Sequence, residues 1–155
     1  KSEVGHKITL QMQPAAELIG ELRQQGQLFD LIYLDADKVT TPPSDKYVSF
    51  VLNVAFQRQY LEYYEALLGN GTQPGILAPQ GVILVDNVLW KGVVLNHVPS
   101  LKKYAPSLSS FSNPQRMEKM ASSMHAFNER VCNDSRVRCT LLPLRDGLMI
   151  IQKIV

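Results

Sequence analysis

Phe29-Asp30-Leu31-Ile32-Tyr33-Leu34-Asp35-Ala36-Asp37-Lys38 is an apolar run of strand length that stops at carboxylates. Gly81-Val82-Ile83-Leu84-Val85-Asp86-Asn87-Val88-Leu89-Trp90 repeats the pattern further along. Short continuous apolar runs bounded by turn residues read as buried strands of a parallel sheet covered on both faces. An open α/β sheet builds its site outside the carboxyl ends of such strands. If the two strands are neighbours, Asp35, Asp86 and Asn87 bring three oxygen donors together. That donor set suits a hard divalent cation such as Mg²⁺, which takes carboxylate and carbonyl oxygens.

Around these two strands the pattern alternates between helix and strand. Lys7–Met12 alternates apolar and polar residues and reads as a strand. Pro14 opens a helix through Leu22 with Leu18, Ile19 and Leu22 as its buried stripe, and Gln24-Gln25-Gly26 ends it. Tyr60–Leu68 reads as a helix closed by Gly69-Asn70-Gly71, and Gly75–Gln80 as a loop. Val94–Asn113, with Pro99 and Pro106 inside it and Pro114 after it, reads as a long surface loop with one turn of helix. A helix is expected from about Gln115 to Cys132. Its stripe of Met117, Met120, Met124 and Phe127 reads as core packing. Val137–Leu142 and Leu148–Val155 are expected strands. Asp146-Gly147 in their short connection predicts an antiparallel hairpin. The expected fold is a single α/β domain, with helices on both faces of the sheet and an antiparallel last strand.

Composition narrows the function. A chain of 155 residues with 45% hydrophobic residues has the size and content of one globular domain. A net charge of +2 without a basic block gives no nucleic-acid footprint, and no apolar run reaches membrane-spanning length. The two cysteines, Cys132 and Cys139, lack zinc-site spacing and read as free thiols in a reducing, cytoplasmic compartment. The sequons at Asn70 and Asn133 then read as chance matches.

Asp35-Ala36-Asp37-Lys38 after one strand, Asp86-Asn87-Val88-Leu89-Trp90-Lys91-Gly92 after the next, and a C-terminal hairpin bearing Asp146-Gly147 together resemble one family. It is the cation-dependent S-adenosylmethionine O-methyltransferases, the group of the caffeoyl-CoA and catechol O-methyltransferases. Tyr60-Leu61-Glu62-Tyr63-Tyr64-Glu65, Phe127-Asn128 and Asp134-Ser135-Arg136-Val137 extend the resemblance from about Val4 to Lys153. It implies a Rossmann-like methyltransferase sheet. By the same resemblance, Asp35, Asp86 and Asn87 match metal ligands and Lys38 matches the general base. Ala15 and Asp37 match positions touching the cofactor, and Asp35, Trp90 and Lys91 positions beside the acceptor. The implied cofactors are S-adenosylmethionine and a divalent cation, with Mg²⁺ expected. The implied partner is a small aromatic hydroxyl acceptor, with no nucleic acid and no membrane; pairing of two copies is left open.

Taken singly, these residues have plainer readings. Asp35 and Asp86 can cap following helices, Asn87 can belong to a turn, Lys38 can be a solvated loop lysine, and Trp90 can be a packing residue.

The resemblance also exposes departures. No Gly-rich phosphate-binding turn occurs in these residues. In the family that turn precedes this region, along with two strands, the first of which borders Phe29–Leu34. Without it, Phe29–Leu34 is expected to be a bare apolar edge. Gln13 and Arg145 stand where the family has glycine. The 19 residues Val39–Gln57 separate Lys38 from the Tyr60 helix, where the family has only a few. They read as an insertion, either a retained intron or a lid over the acceptor pocket. Two rival functions stand beside methyl transfer. One is a non-catalytic truncated remnant serving as an interaction module. The other is a metal-assisted phosphohydrolase using Asp35, Asp37 and Asp86.

Overall fold

The structure is a computed structural model that describes residues 11–35, 50–53 and 60–154. Helix α1, Ala15–Gln24, starts behind Pro14, whose fixed φ suits the entry to a helix. It ends at Gly26, which takes a left-handed φ of +66°. Strand β1, Phe29–Asp35, follows at once. The other elements are β2 (Phe50–Asn53), α2 (Tyr60–Leu68), β3 (Leu77–Asp86), α3 (Pro114–Cys132), β4 (Val137–Leu142) and β5 (Leu148–Lys153). Three short 3₁₀ turns fill 93–110 where one turn of helix was expected. Helix α3 has Pro114 in its first turn, and the Asn113 side chain accepts from the Arg116 N–H at 3.0 Å to cap it. The strand expected at Lys7–Met12 lies largely outside the described residues. No helix among the described residues is long and apolar enough to cross a membrane.

The strands form one sheet in the order β2-β1-β3-β5-β4. β1 runs parallel to both β2 and β3, whereas β5 is antiparallel to β3 and to β4. β2 overturns the expectation of a bare β1 edge. Ile32–Asp35 pairs in parallel register with Phe50–Asn53, so part of the segment read as an insertion covers that edge. Leu77–Gln80, expected as a loop, belongs to β3. The pairing with β1 shifts register between Phe29 and Leu31, and Gln80 takes a φ of +61°. Pro79 and Gly81 mark this irregularity, which sequence punctuation made look like a loop.

Ile32, Leu34, Ile83, Val85, Met149 and Ile151 share one sheet face by alternation and register, and all are fully buried. They form a single core with Ile19 of α1, Tyr60, Tyr64 and Leu67 of α2, and Met124 and Phe127 of α3. The opposite face differs from the expectation of helices on both sides. Leu31 is 48% exposed, and Tyr33, Leu84 and Ile150 are only half-buried among the described residues.

Candidate active site

Register places the two acidic strand ends side by side: Leu34 pairs with Val85, and Asp35 and Asp86 are the next residues on neighbouring parallel strands. Both are half-buried. Period-2 alternation puts Tyr33 on the same face, one diagonal step from Asp86. Its hydroxyl donates to Asp86 Oδ2 at 2.8 Å, and the Asn87 N–H donates to Asp86 Oδ1 at 2.7 Å. Burial, followed by the Asp86 hydrogen bond and the charges of Asp86 and Asp35, pushes the Tyr33 phenol well above its ordinary range. Tyr33 therefore stays a neutral donor.

Tyr60, at the start of α2, is 1% exposed. Burial raises its phenol strongly, and the charges of the Asp35 and Asp86 carboxylates add to the shift. That hydroxyl has no hydrogen-bond partner among the described residues. A buried orphan donor costs stability, so Tyr60→Phe is expected to raise stability by about 1 kcal/mol. Urea unfolding in chelator checks this, and an unchanged or lowered midpoint would contradict it.

The loop after β3 is held in an unusual shape. Asn87, Trp90 and Lys91 have φ of +64°, +45° and +54°, a region that L-residues rarely adopt. Neighbouring groups impose it. The N–H of Leu89 donates to the Asp146 carbonyl at 2.7 Å, and the N–H of Val88 donates to the Gly147 carbonyl at 3.2 Å. Asn128 Nδ2 donates to the Val88 carbonyl at 2.9 Å. Gly147, at φ +87°, lies so close that a Cβ there would stand 2.6 Å from Leu89 Cγ. The Asp146-Gly147 pair thus makes the hairpin connection and also clamps the site loop. Arg145, where the resembling family has glycine, sits at φ +49°.

Trp90 and Lys91 line a cleft of about 270 Å³ with Asn87, Met117, Met120 and Asp146. Three of the four stripe residues serve the core, with Met124 and Phe127 buried and the half-buried Met117 packed against them, while Met117 and Met120 also form a cleft wall. Ala15, the first residue of α1, is half-buried and packs against the core. At the other end of α1, Arg23 donates to the Ala66 carbonyl near the end of α2, and Ile76 beyond α2 accepts from Phe29 at the start of β1. Asp37 and Lys38 lie outside the described residues. Among those described, no group of three His, Cys, Asp or Glu is arranged to hold a metal. The candidate set is two carboxylates and one amide oxygen, the chemistry of a hard-cation site.

Sequence reading missed Tyr33, Tyr60 and the clamp from Asn128. A tyrosine two residues before Asp35, and so on the same strand face as that carboxylate, was the available signal for the first.

A parallel α/β sheet that turns antiparallel at its last hairpin, with acidic residues at its carboxyl edge, defines a Rossmann-like methyltransferase fold. It is similar to the solved structure of an SAH-bound Podospora anserina methyltransferase, PaMTH1, with a TM-score of 0.61 and 23% identity, over 98% of this chain and 51% of that one. An O-methyltransferase family model matches residues 43–154, and the chain belongs to that family. It is 32% identical over 156 residues to the catechol O-methyltransferase domain-containing protein 1 of Mus musculus, covering 99% of this chain and 44% of the relative. It is 30% identical to "Probable caffeoyl-CoA O-methyltransferase 3" of Dictyostelium discoideum, covering 51% of that protein. The chain thus spans about half the length of the curated relatives it matches.

Proposed function

We propose that this chain is the acceptor- and metal-binding half of an S-adenosylmethionine-dependent O-methyltransferase acting on a small aromatic hydroxyl compound. The observation that carries the proposal is the meeting of Asp35 and Asp86 at adjacent, parallel strand ends, with Asn87 next in the chain. Asp35, Asp86 and Asn87 would hold a divalent ion, with Mg²⁺ suited to the donors. Such an ion supplies Lewis acidity that lowers the pKa of an acceptor hydroxyl. S-adenosylmethionine supplies the electrophilic methyl group.

The protein groups have separable tasks. Tyr33 fixes the Asp86 carboxylate through its hydrogen bond. Trp90, Met117 and Met120 give an apolar wall against which an aromatic ring can lie, and Lys91 sits at its exposed rim. Lys38 takes the hydroxyl proton as general base. Ala15 and Asp37 border the cofactor. Holding the acceptor oxygen in line with the methyl carbon supplies much of the acceleration.

Lys38→Ala is expected to lower kcat by about 10²–10⁴-fold with a smaller change in KM, because the base acts in the transition state. Equal losses in acceptor affinity and turnover would contradict that role.

The 155 residues carry no Gly-rich nucleotide turn, and calorimetry of this chain with S-adenosylmethionine is expected to show weak binding or none. Adding the segment that family members carry ahead of this region should create methyl transfer from labelled S-adenosylmethionine to a vicinal dihydroxy aromatic compound, abolished by EDTA. Transfer that persists in EDTA would refute the metal role. β2 occupies the β1 edge that the family's first strand would take. The restored protein therefore needs Val39–Gln57 removed or displaced. A mature transcript encoding all 19 residues would exclude the retained-intron reading and leave the lid.

A further inference from the structure

The chain's two cysteines lie on adjoining elements, Cys132 as the last residue of α3 and Cys139 within β4. Their sulfurs are 3.2 Å apart, and both thiols are free. Cys132 is exposed and Cys139 half-buried, so a small solute can reach the pair.

The turn between them is held firmly. The N–H of Asp134 donates to the Val131 carbonyl at 3.1 Å and that of Val137 to the Asp134 carbonyl at 3.2 Å. The Asp134 carboxylate accepts from the Arg136 N–H and Nε at 2.9 Å, from Arg130 Nη1 at 2.9 Å and from the Tyr64 hydroxyl at 2.9 Å. A disulfide bond of about 2.05 Å needs the sulfurs to close by roughly 1 Å, which side-chain rotation can supply. No third cysteine competes for either thiol.

We infer that Cys132 and Cys139 form a two-electron redox modification site, a dithiol that low-molecular-weight disulfides convert to an intrachain disulfide. The site is independent of the methyl-transfer reading. One cysteine loses its proton, and its thiolate attacks a sulfur of the small disulfide. The reagent's S–S bond breaks, and one small thiol leaves with a proton. The second cysteine then loses its proton and attacks the first cysteine's sulfur, expelling the second small thiol. Two protein thiols are oxidised and one small disulfide is reduced to two thiols. Burial and the adjoining Cys139 sulfur push the Cys132 thiol up to about 11, which slows exchange at neutral pH.

The test is to equilibrate the folded chain with excess oxidised glutathione, quench in acid, alkylate remaining thiols and map peptides by mass spectrometry. The expected product is a monomer lighter by two hydrogens, with Cys132 and Cys139 joined and unalkylated, and restored by dithiothreitol. Cys132→Ser and Cys139→Ser should each instead retain one glutathione on the remaining cysteine. Persistent glutathione on the parent chain, interchain dimers, or two alkylated thiols at equilibrium would each overturn the inference.

Discussion

Asp86→Ala is expected to weaken Mg²⁺ or Mn²⁺ binding by at least about 100-fold, since removing even a group that orients a ligand costs that order. Methyl transfer in the extended protein should fall with it. The same change removes the acceptor of the Tyr33 hydroxyl and of the Asn87 N–H. It should therefore also cost about 1–2 kcal/mol of stability. Asp86→Asn separates the two effects. Its single amide oxygen can keep one of the two bonds, to the Tyr33 hydroxyl or the Asn87 N–H, so part of the stability loss should be spared while ion affinity is lost. Calorimetric titration with the metal and urea unfolding read the two quantities. Parent-like ion affinity in both variants would remove Asp86 from the site.

Asp134→Ala is expected to give the largest loss of stability. Its carboxylate is 4% exposed and joins α3, the following turn and α2 through Arg130, Arg136 and Tyr64. Breaking a buried pair from one side costs about 3–5 kcal/mol. Arg130 and Arg136 are 42% and 36% exposed and retain water and Glu65, so the expected loss is nearer 2–3 kcal/mol. The Arg136 hydrogen bonds, aided by Tyr64 and opposed by burial, hold the Asp134 carboxyl far below the ordinary carboxylate range. A depressed folded pKa stabilises above the unfolded value of about 3.9, and that stability is lost as pH falls toward the folded value. The gap in urea midpoint between parent and variant should be full at neutral pH and shrink steadily in acid below about pH 4. A gap independent of pH would show that packing, and not the ion pairs, holds this corner.

The parts of the fold legible in the sequence are those where local chemistry and tertiary placement agree. Tyr60–Leu68 is a helix to the residue because Gly69 can take the φ of +87° that ends it. The β4–β5 hairpin follows from Asp146-Gly147, and the strand ends at Asp35 and Asp86 from apolar runs that stop at carboxylates. What was not legible depends on partners far along the chain. β2 is a strand through pairing with Ile32–Asp35, and nothing in its own four residues announces an edge. Leu77–Gln80 reads as a loop because Pro79 and Gly81 punctuate it, yet Leu77 pairs with Phe29. At the candidate site, Asp35 and Asp86 were legible from position. The Tyr33–Asp86 hydrogen bond needs the register, and the clamp on Asn87–Leu89 needs the hairpin tip folded back on it. The cleft wall of Met117 and Met120 carries the same helical spacing as the core residues after it, so periodicity alone could not separate them.

The central claim, that the carboxyl ends of β1 and β3 form a divalent-cation site, is tested most directly by titrating Mn²⁺ into the isotope-labelled chain and following paramagnetic broadening of backbone NMR signals. Broadening that appears first at Asp35, Asp86 and Asn87, spreads to Tyr33 and Tyr60, and reverses with Mg²⁺ is the expected result. Signals at those residues that survive while others broaden would contradict it.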